Sequence, residues 1–331
     1  MLDERKAAIL RELVEGYIQT GEPVSSRAIV ECGFDCSSAT IRNELSLLEA
    51  EGFIVKPHTS AGRVPTDRGY RYYLDHLAPG RLGRSADVRI ATFFSSLHSE
   101  LGKVLQQTSE LLAEVTHYPA VVQGPGLRGQ TVRDVHLIPI SPAEVLLVLV
   151  TGGGHVSQSI IRLGDPATPG EVGGAGEALA EVLVGSVLGD EAASLRDDAA
   201  ADLPGAAVDV LDRSLEAIDA TVADDPRVYL GGARWMATLW EDLAKLQRIL
   251  AILGRETGPL RLLGGVGAGT NVRLGSELPA GEDDLAVVSS SFEAAGGSGR
   301  MGVFGPMRMD YRRAIRVVEE VSDALGDSLG G

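Results

Sequence analysis

The chain has 331 residues, 44% of them hydrophobic and 23% charged, a folded-protein composition with room for two or three domains of ~150 residues. That balance excludes wholesale disorder, a collagen-like repeat and a disulfide scaffold. The most apolar stretch, Val145 to Val150, is far shorter than the roughly 20 residues a bilayer-spanning helix needs. The opening Met1-Leu2-Asp3-Glu4-Arg5-Lys6 is charged at once, which is not a secretory leader, so a cytoplasmic protein without a membrane partner is expected. The net charge of −16 is unevenly spread: residues 164–225 carry fifteen Asp/Glu against two Arg. Residues 52–74 are basic, with Lys56, Arg63, Arg68 and Arg71 against Asp67 alone. An acidic bulk repels polyanions, so any DNA contact would be local and geometrically selective.

Leu10, Leu13, Val14, Tyr17 and Ile18 recur at helical spacing, and Gly21 with Pro23 ends that helix. Ser25 is placed to cap a second short helix closed by Gly33, with Cys32 and Cys36 nearby as packed thiols. Ser37 or Ser38 caps a third helix whose Ile41, Leu45 and Leu48 face inward. Its outer face carries Ser38, Thr40, Arg42 and Asn43. Three short helices with a tight turn before the third predict a helix-turn-helix, whose last helix presents its N-terminal residues to a major groove. Arg42 suits guanine O6/N7 and Asn43 suits adenine N6/N7, while Ser and Thr serve bases or phosphates. Extended segments at Phe53–Lys56 and Val64–Thr66 flank a small basic tip from His58 to Arg63, predicting a β-hairpin wing over residues 1–77. His58, Thr59, Ser60, Arg63 and Arg71 are the candidate contacts to backbone phosphates.

After Pro79-Gly80 a long helix is expected over 86–117. Ile90, Phe94, Leu97, Leu101, Val104, Thr108, Leu111 and Val115 step 4, 3, 4, 3, 4, 3, 4 along it. Such a seam fits either a helix paired with its copy in a dimer, through Leu97, Leu101 and Val104, or a helix lying on its own domain's sheet. Val-, Ile- and Leu-rich runs at 135–140, 144–151, 156–163, 285–292 and 300–304 read as strands, with a closing helix from Met309 to Leu325. Strands on both sides of a helical middle predict one α+β domain, 86–164 with 263–331, interrupted by an insertion at 165–262. Within the insertion Trp235, Met236, Leu239, Trp240 and Leu243 form an apolar stripe at helical spacing, expected to be core or dimer interface.

The stretch Ser38-Ala39-Thr40-Ile41-Arg42-Asn43-Glu44-Leu45, followed by Pro57-His58-Thr59-Ser60-Ala61-Gly62-Arg63-Val64-Pro65-Thr66 and Gly69-Tyr70-Arg71-Tyr72-Tyr73, resembles the heat-inducible transcription repressor family HrcA. Gly302-Val303-Phe304-Gly305-Pro306-Met307-Arg308-Met309-Asp310-Tyr311 is similar to that family's C-terminal signature. The resemblance implies a winged helix-turn-helix, a long linker helix, and a GAF-like domain carrying an inserted, mostly helical dimerising domain. It implies a repressor of chaperone operons that binds a double-stranded inverted-repeat operator as a homodimer. It also implies the GroE chaperonin as the partner that keeps the repressor active until unfolded clients titrate it away.

Catalytic chemistry has little to stand on. The run Gly265-Val266-Gly267-Ala268-Gly269-Thr270 displaces the third glycine of a dinucleotide loop and lacks the Lys-Ser/Thr of a phosphate loop. No nucleophile elbow and no His-Glu-x-x-His occurs, and the six His residues are scattered. No metal, no cofactor and no enzyme activity are expected. The competing expectation is a winged-helix regulator whose GAF-like domain senses a small molecule.

Overall fold

A computed structural model of the chain describes residues 2–34, 37–58, 62–77, 83–95, 101–189, 200, 203–223, 228–240, 242–253, 258–264, 269–278, 284–294 and 297–329. Helix α1 (Glu4–Thr20) is capped by the Asp3 carboxylate, which accepts from Lys6 N at 2.9 Å, and stops at Gly21 in the left-handed region, φ 72°. Ile9, Leu10, Leu13 and Val14 are its buried stripe. Ser25 caps α2 (Ser26–Glu31) and Ser37 caps α3 (Ser38–Ala50), each hydroxyl accepting a first-turn N–H at 3.2 Å. Strand β1 (Ile54–Val55) pairs antiparallel with β2 (Val64–Pro65), and a Val24–Arg63 bridge adds a third short rung. Helix α4 (Asp67–Asp75) follows, capped by Thr66. Cys32 is an exposed free thiol, not a packed one, and Cys36 lies outside the described residues.

Over the expected long linker helix the described residues form α5 (Arg84–Ser95) and α6 (Leu101–Thr116); Leu97 lies outside the described residues. A five-stranded sheet follows the order β7-β3-β10-β9-β8, built from β3 (Ala120–Gln123), β7 (Val228–Gly231), β8 (Asn271–Leu274), β9 (Leu285–Ala294) and β10 (Gly297–Pro306). All neighbours in it are antiparallel. One face is covered by α6 and by the last helix, Tyr311–Leu329. Val104, Leu105, Leu112 and Val115 of α6 are therefore buried within the chain's own core. This corrects the coiled-coil alternative for Val104: the 4–3 seam lies on the domain's own sheet. Leu112→Ala is expected to cost about 2–5 kcal/mol in a urea melt, as an unfilled core site does, with the subunit number in light scattering unchanged.

The other face of the sheet is covered by Met236, Trp240, Ile249, Leu253, Leu262, Leu263 and Leu278. Here the expected helix 235–254 is broken. A 3₁₀ turn (Ala233–Trp235) leads into a four-residue helix (Met236–Leu239), Trp240 is extended, and a further helix spans Leu243–Leu253. Trp240 and Met236 are buried against Val121, Val287 and Phe304, and Trp235 lies against His117 at 4.7 Å. Of the proposed interface residues Trp240 thus packs inside the chain, while Leu239 is half-buried against the same cluster and Trp235 half-buried against the α6 side, because a sheet with two apolar faces needs cover on both.

Between β3 and β7, which are hydrogen-bonded neighbours, the chain makes a separate module. Its three-stranded sheet is β4 (Val132–Ser141), β5 (Glu144–Thr151) and β6 (Val156–Arg162), with helices α7 (Pro169–Leu183) and α8 (Gly205–Ala223) on one face. Leu127, Val135, Leu147, Leu149, Leu179 and Leu211 belong to a core of its own. The insertion therefore starts after Gln123 and ends before Val228, displaced from the expected 165–262. Strands 135–163 go with it, and the Trp segment goes with the larger domain. The architecture is mixed α+β. No helix among the described residues is long and apolar enough to cross a membrane.

Candidate nucleic-acid interface

Capping by Ser37 leaves the first turns of α3 pointing outward. Arg42 and Asn43 are exposed, while Ile41, Leu45 and Leu48 are fully buried beneath them. Thr40 is half-buried, its hydroxyl 3.0 Å from that of Ser37, and Ser38 is half-buried with its hydroxyl 3.3 Å from Ser26. Among the described residues the Arg42 guanidinium is engaged only at 3.4 Å with the Ser26 hydroxyl, a long contact that a better acceptor would displace. Ser38, Thr40, Arg42 and Asn43 thus form one polar surface at the N-terminal end of a rigidly seated helix. Wing residues Lys56 and His58 are exposed beside it; Thr59 and Ser60 lie outside the described residues.

Arg63 and Arg71 are placed differently from expectation. The Arg63 guanidinium is mostly buried and pairs with Glu49 of α3 at 3.2 Å, while its backbone bonds Val24 in both directions at 2.9 Å. It fastens the wing to α3. Arg71 points away from the wing, donating from Nε to Glu277 Oε1 at 2.9 Å and from Nη2 to the Val272 carbonyl at 2.8 Å. The Ser276 hydroxyl donates to Asp67 at 2.9 Å beside it. Helix α4 is thereby tied to the five-stranded domain, and Tyr70 packs on Tyr311 at 6.0 Å in the same junction. Burial pushes both phenols above their ordinary range, so they stay neutral. Sequence reasoning passed over Ser276 and Glu277; partners over two hundred positions away leave no local signal.

The glycines of the wing sequence have a steric cause. A Cβ on Gly69 would fall 2.1 Å from the Phe53 carbonyl oxygen, and one on Gly62 would fall 2.5 Å from the carbonyl oxygens of Pro23 and Val24. Gly69→Ala is expected to cost about 1–3 kcal/mol in a denaturant melt, since backbone on both sides must move. Arg68 adds a further tie, its guanidinium 4.4 Å over the Phe53 ring and donating to the Glu51 carbonyl at the end of α3 at 2.7 Å. Among the described residues, no group of three His, Cys, Asp or Glu is placed to hold a metal ion.

A three-helix unit with a strand-pair wing and an exposed polar helix start has the build of a DNA-binding transcription regulator. The model of the HrcA protein C-terminal domain matches residues 102–315. The heat-inducible transcription repressor HrcA of Mycolicibacterium vanbaalenii is 36% identical over 337 residues, covering 99% of this chain and 98% of that one. The protein of the same name from a Nocardioides species is 37% identical over 339 residues, covering 97% of each. A crystal structure titled as that of a hypothetical protein at 2.2 Å resolution is similar over 99% of this chain and 98% of its own, with a TM-score of 0.65 and 27% identity. The chain belongs to the HrcA family.

Proposed function

We propose that the protein is a heat-inducible transcription repressor that binds an inverted-repeat operator upstream of chaperone operons as a homodimer. The observation that carries this reading is the polar surface of α3, with Arg42 and Asn43 exposed and Ser38 and Thr40 half-buried beside them, joined to full-length similarity with repressors so named. In this reading the N-terminal unit is a winged helix-turn-helix and the five-stranded domain is the GAF-like domain. Arg42 and Asn43 read base edges; Lys56, His58, Thr59 and Ser60 meet the phosphates of the flanking backbone. Arg63 serves the wing's structure instead, and Arg71 reaches DNA only where α4 parts from Glu277.

The homodimer is assigned a new surface. One face of the β4-β5-β6 sheet lies under α7 and α8. The opposite face carries the cross-strand row Ile138–Leu146–Ile160 together with Ile140 and Val156. Ile138, Ile140 and Ile160 are 48%, 53% and 63% exposed. A contiguous apolar sheet face of this kind marks an association surface. The GroE chaperonin enters from the family resemblance as the partner that maintains the active repressor, and its titration by unfolded clients as the route of release on heat stress.

Selection of duplexes from a random library by the full-length protein tests this reading. Two-fold symmetric sites, with arms spaced by whole helical turns, are the expected product. Recovery of asymmetric single sites, or no enrichment, would overturn it.

A further inference from the structure

The C-terminal stretch Gly302–Tyr311 lies apart from the α3 and wing residues proposed to meet DNA, and it builds part of the junction between the two halves of the chain. Its Arg308 is exposed and, among the described residues, makes no hydrogen bond or ion pair. The guanidinium lies over the end of α1: a Cβ on Gly21, already left-handed at φ 72°, would stand 2.7 Å from Nη1. Arg308 lines two clefts that meet there, one of about 370 Å³ toward Glu15, Tyr73, Tyr118 and Arg312, the other of about 270 Å³ toward Tyr17 and Trp240.

The carboxylates of Glu15, Asp310, Asp242 and Asp284 also line these clefts, each engaged within the chain, Asp242 by the Ala244 N–H at 2.9 Å. Glu15 accepts from Arg312 at 2.6 Å, Lys245 pairs with Asp284 at 2.6 Å, and Asp310 accepts the Arg313 N–H at 3.1 Å in the first turn of the last helix. Donors are left over. The Tyr118 hydroxyl accepts from Asp310 N at 2.9 Å, so its own proton remains available. Trp240 lines the smaller cleft, its indole N–H itself buried beneath the cleft surface. Arg308, shared by both clefts, is thus the cleft cation left without a partner among the described residues; the Tyr118 hydroxyl lies on the larger cleft, and Tyr17, Tyr73 and Trp240 flank the two.

We propose that this junction binds a small molecule carrying one compact oxyanion, a carboxylate or a phosphate, with the anion on Arg308 and any apolar body against the Tyr and Trp rings. Because α1 supplies one wall and the five-stranded domain the other, occupancy favours the arrangement in which the two meet. The inference stands apart from operator binding and is read without DNA.

Isothermal titration of the full-length protein with acetate, benzoate and inorganic phosphate, at constant ionic strength in chloride, tests it. At least one probe is expected to bind with a Kd of about 10 mM or tighter. Arg308→Gln, an exposed change that leaves the core untouched, is expected to weaken that probe at least about tenfold, and Arg308→Lys to recover part of the loss. Benzoate and acetate against phosphate separate the two sources of the anion. The proposal is overturned if no probe binds in that range, or if wild type and Arg308→Gln bind alike.

Discussion

Arg42→Ala is expected to lower operator affinity by about 1–3 kcal/mol per half-site and to relax the preference at one base position of each arm. The fold should be untouched: Arg42 is exposed and the hydrogen bond its guanidinium makes to Ser26 is long at 3.4 Å. Asn43→Ala should relax a neighbouring base pair by a similar amount. Lys56→Ala differs in kind, weakening operator and scrambled duplex alike and flattening the salt dependence by about one counterion per subunit. Anisotropy titrations of the three variants against duplexes substituted base by base make the distinction. If Arg42→Ala weakened all sequences equally, α3 would be a phosphate clamp and the readout would lie elsewhere.

The second large effect belongs to the outer face of the inserted module. Ile160→Glu, at the most exposed position of the Ile138–Leu146–Ile160 row, is expected to give a folded monomer in sedimentation equilibrium. Its operator affinity should fall about 10²–10⁴-fold, because the second half-site no longer binds at high effective concentration. Binding to an isolated half-site should be unchanged. Leu112→Ala serves as the contrast, losing stability while keeping the subunit number, since α6 faces its own sheet.

The two effects divide along what the sequence made legible. The helix starts and stops of the first seventy-seven residues are local chemistry: Asp3, Ser25, Ser37 and Thr66 cap, and Gly21 terminates. The exposed set on α3 follows directly from its apolar periodicity. The partner of an apolar stripe is not local. The seam of α6 has the same 4–3 spacing whether it meets a sister helix or a sheet, and tertiary packing decided for the sheet. The insertion was misplaced because its borders are two four-residue strands, β3 and β7, whose pairing joins residues more than a hundred positions apart. Arg63 and Arg71 looked free for the same reason. Basic residues beside a small glycine-containing tip read as phosphate anchors until Glu49 and Glu277 are brought alongside by the fold.

The central claim, sequence-specific binding of an inverted repeat, is tested most directly by fluorescence anisotropy of the full-length protein on a chaperone-type inverted repeat and on its scrambled duplex. Three salt concentrations, with and without chaperonin, complete the measurement. The account predicts tight binding to the repeat alone, with a log–log salt slope that reports several phosphate contacts from each subunit. Equal, weak binding to both duplexes, even with chaperonin present, would contradict it.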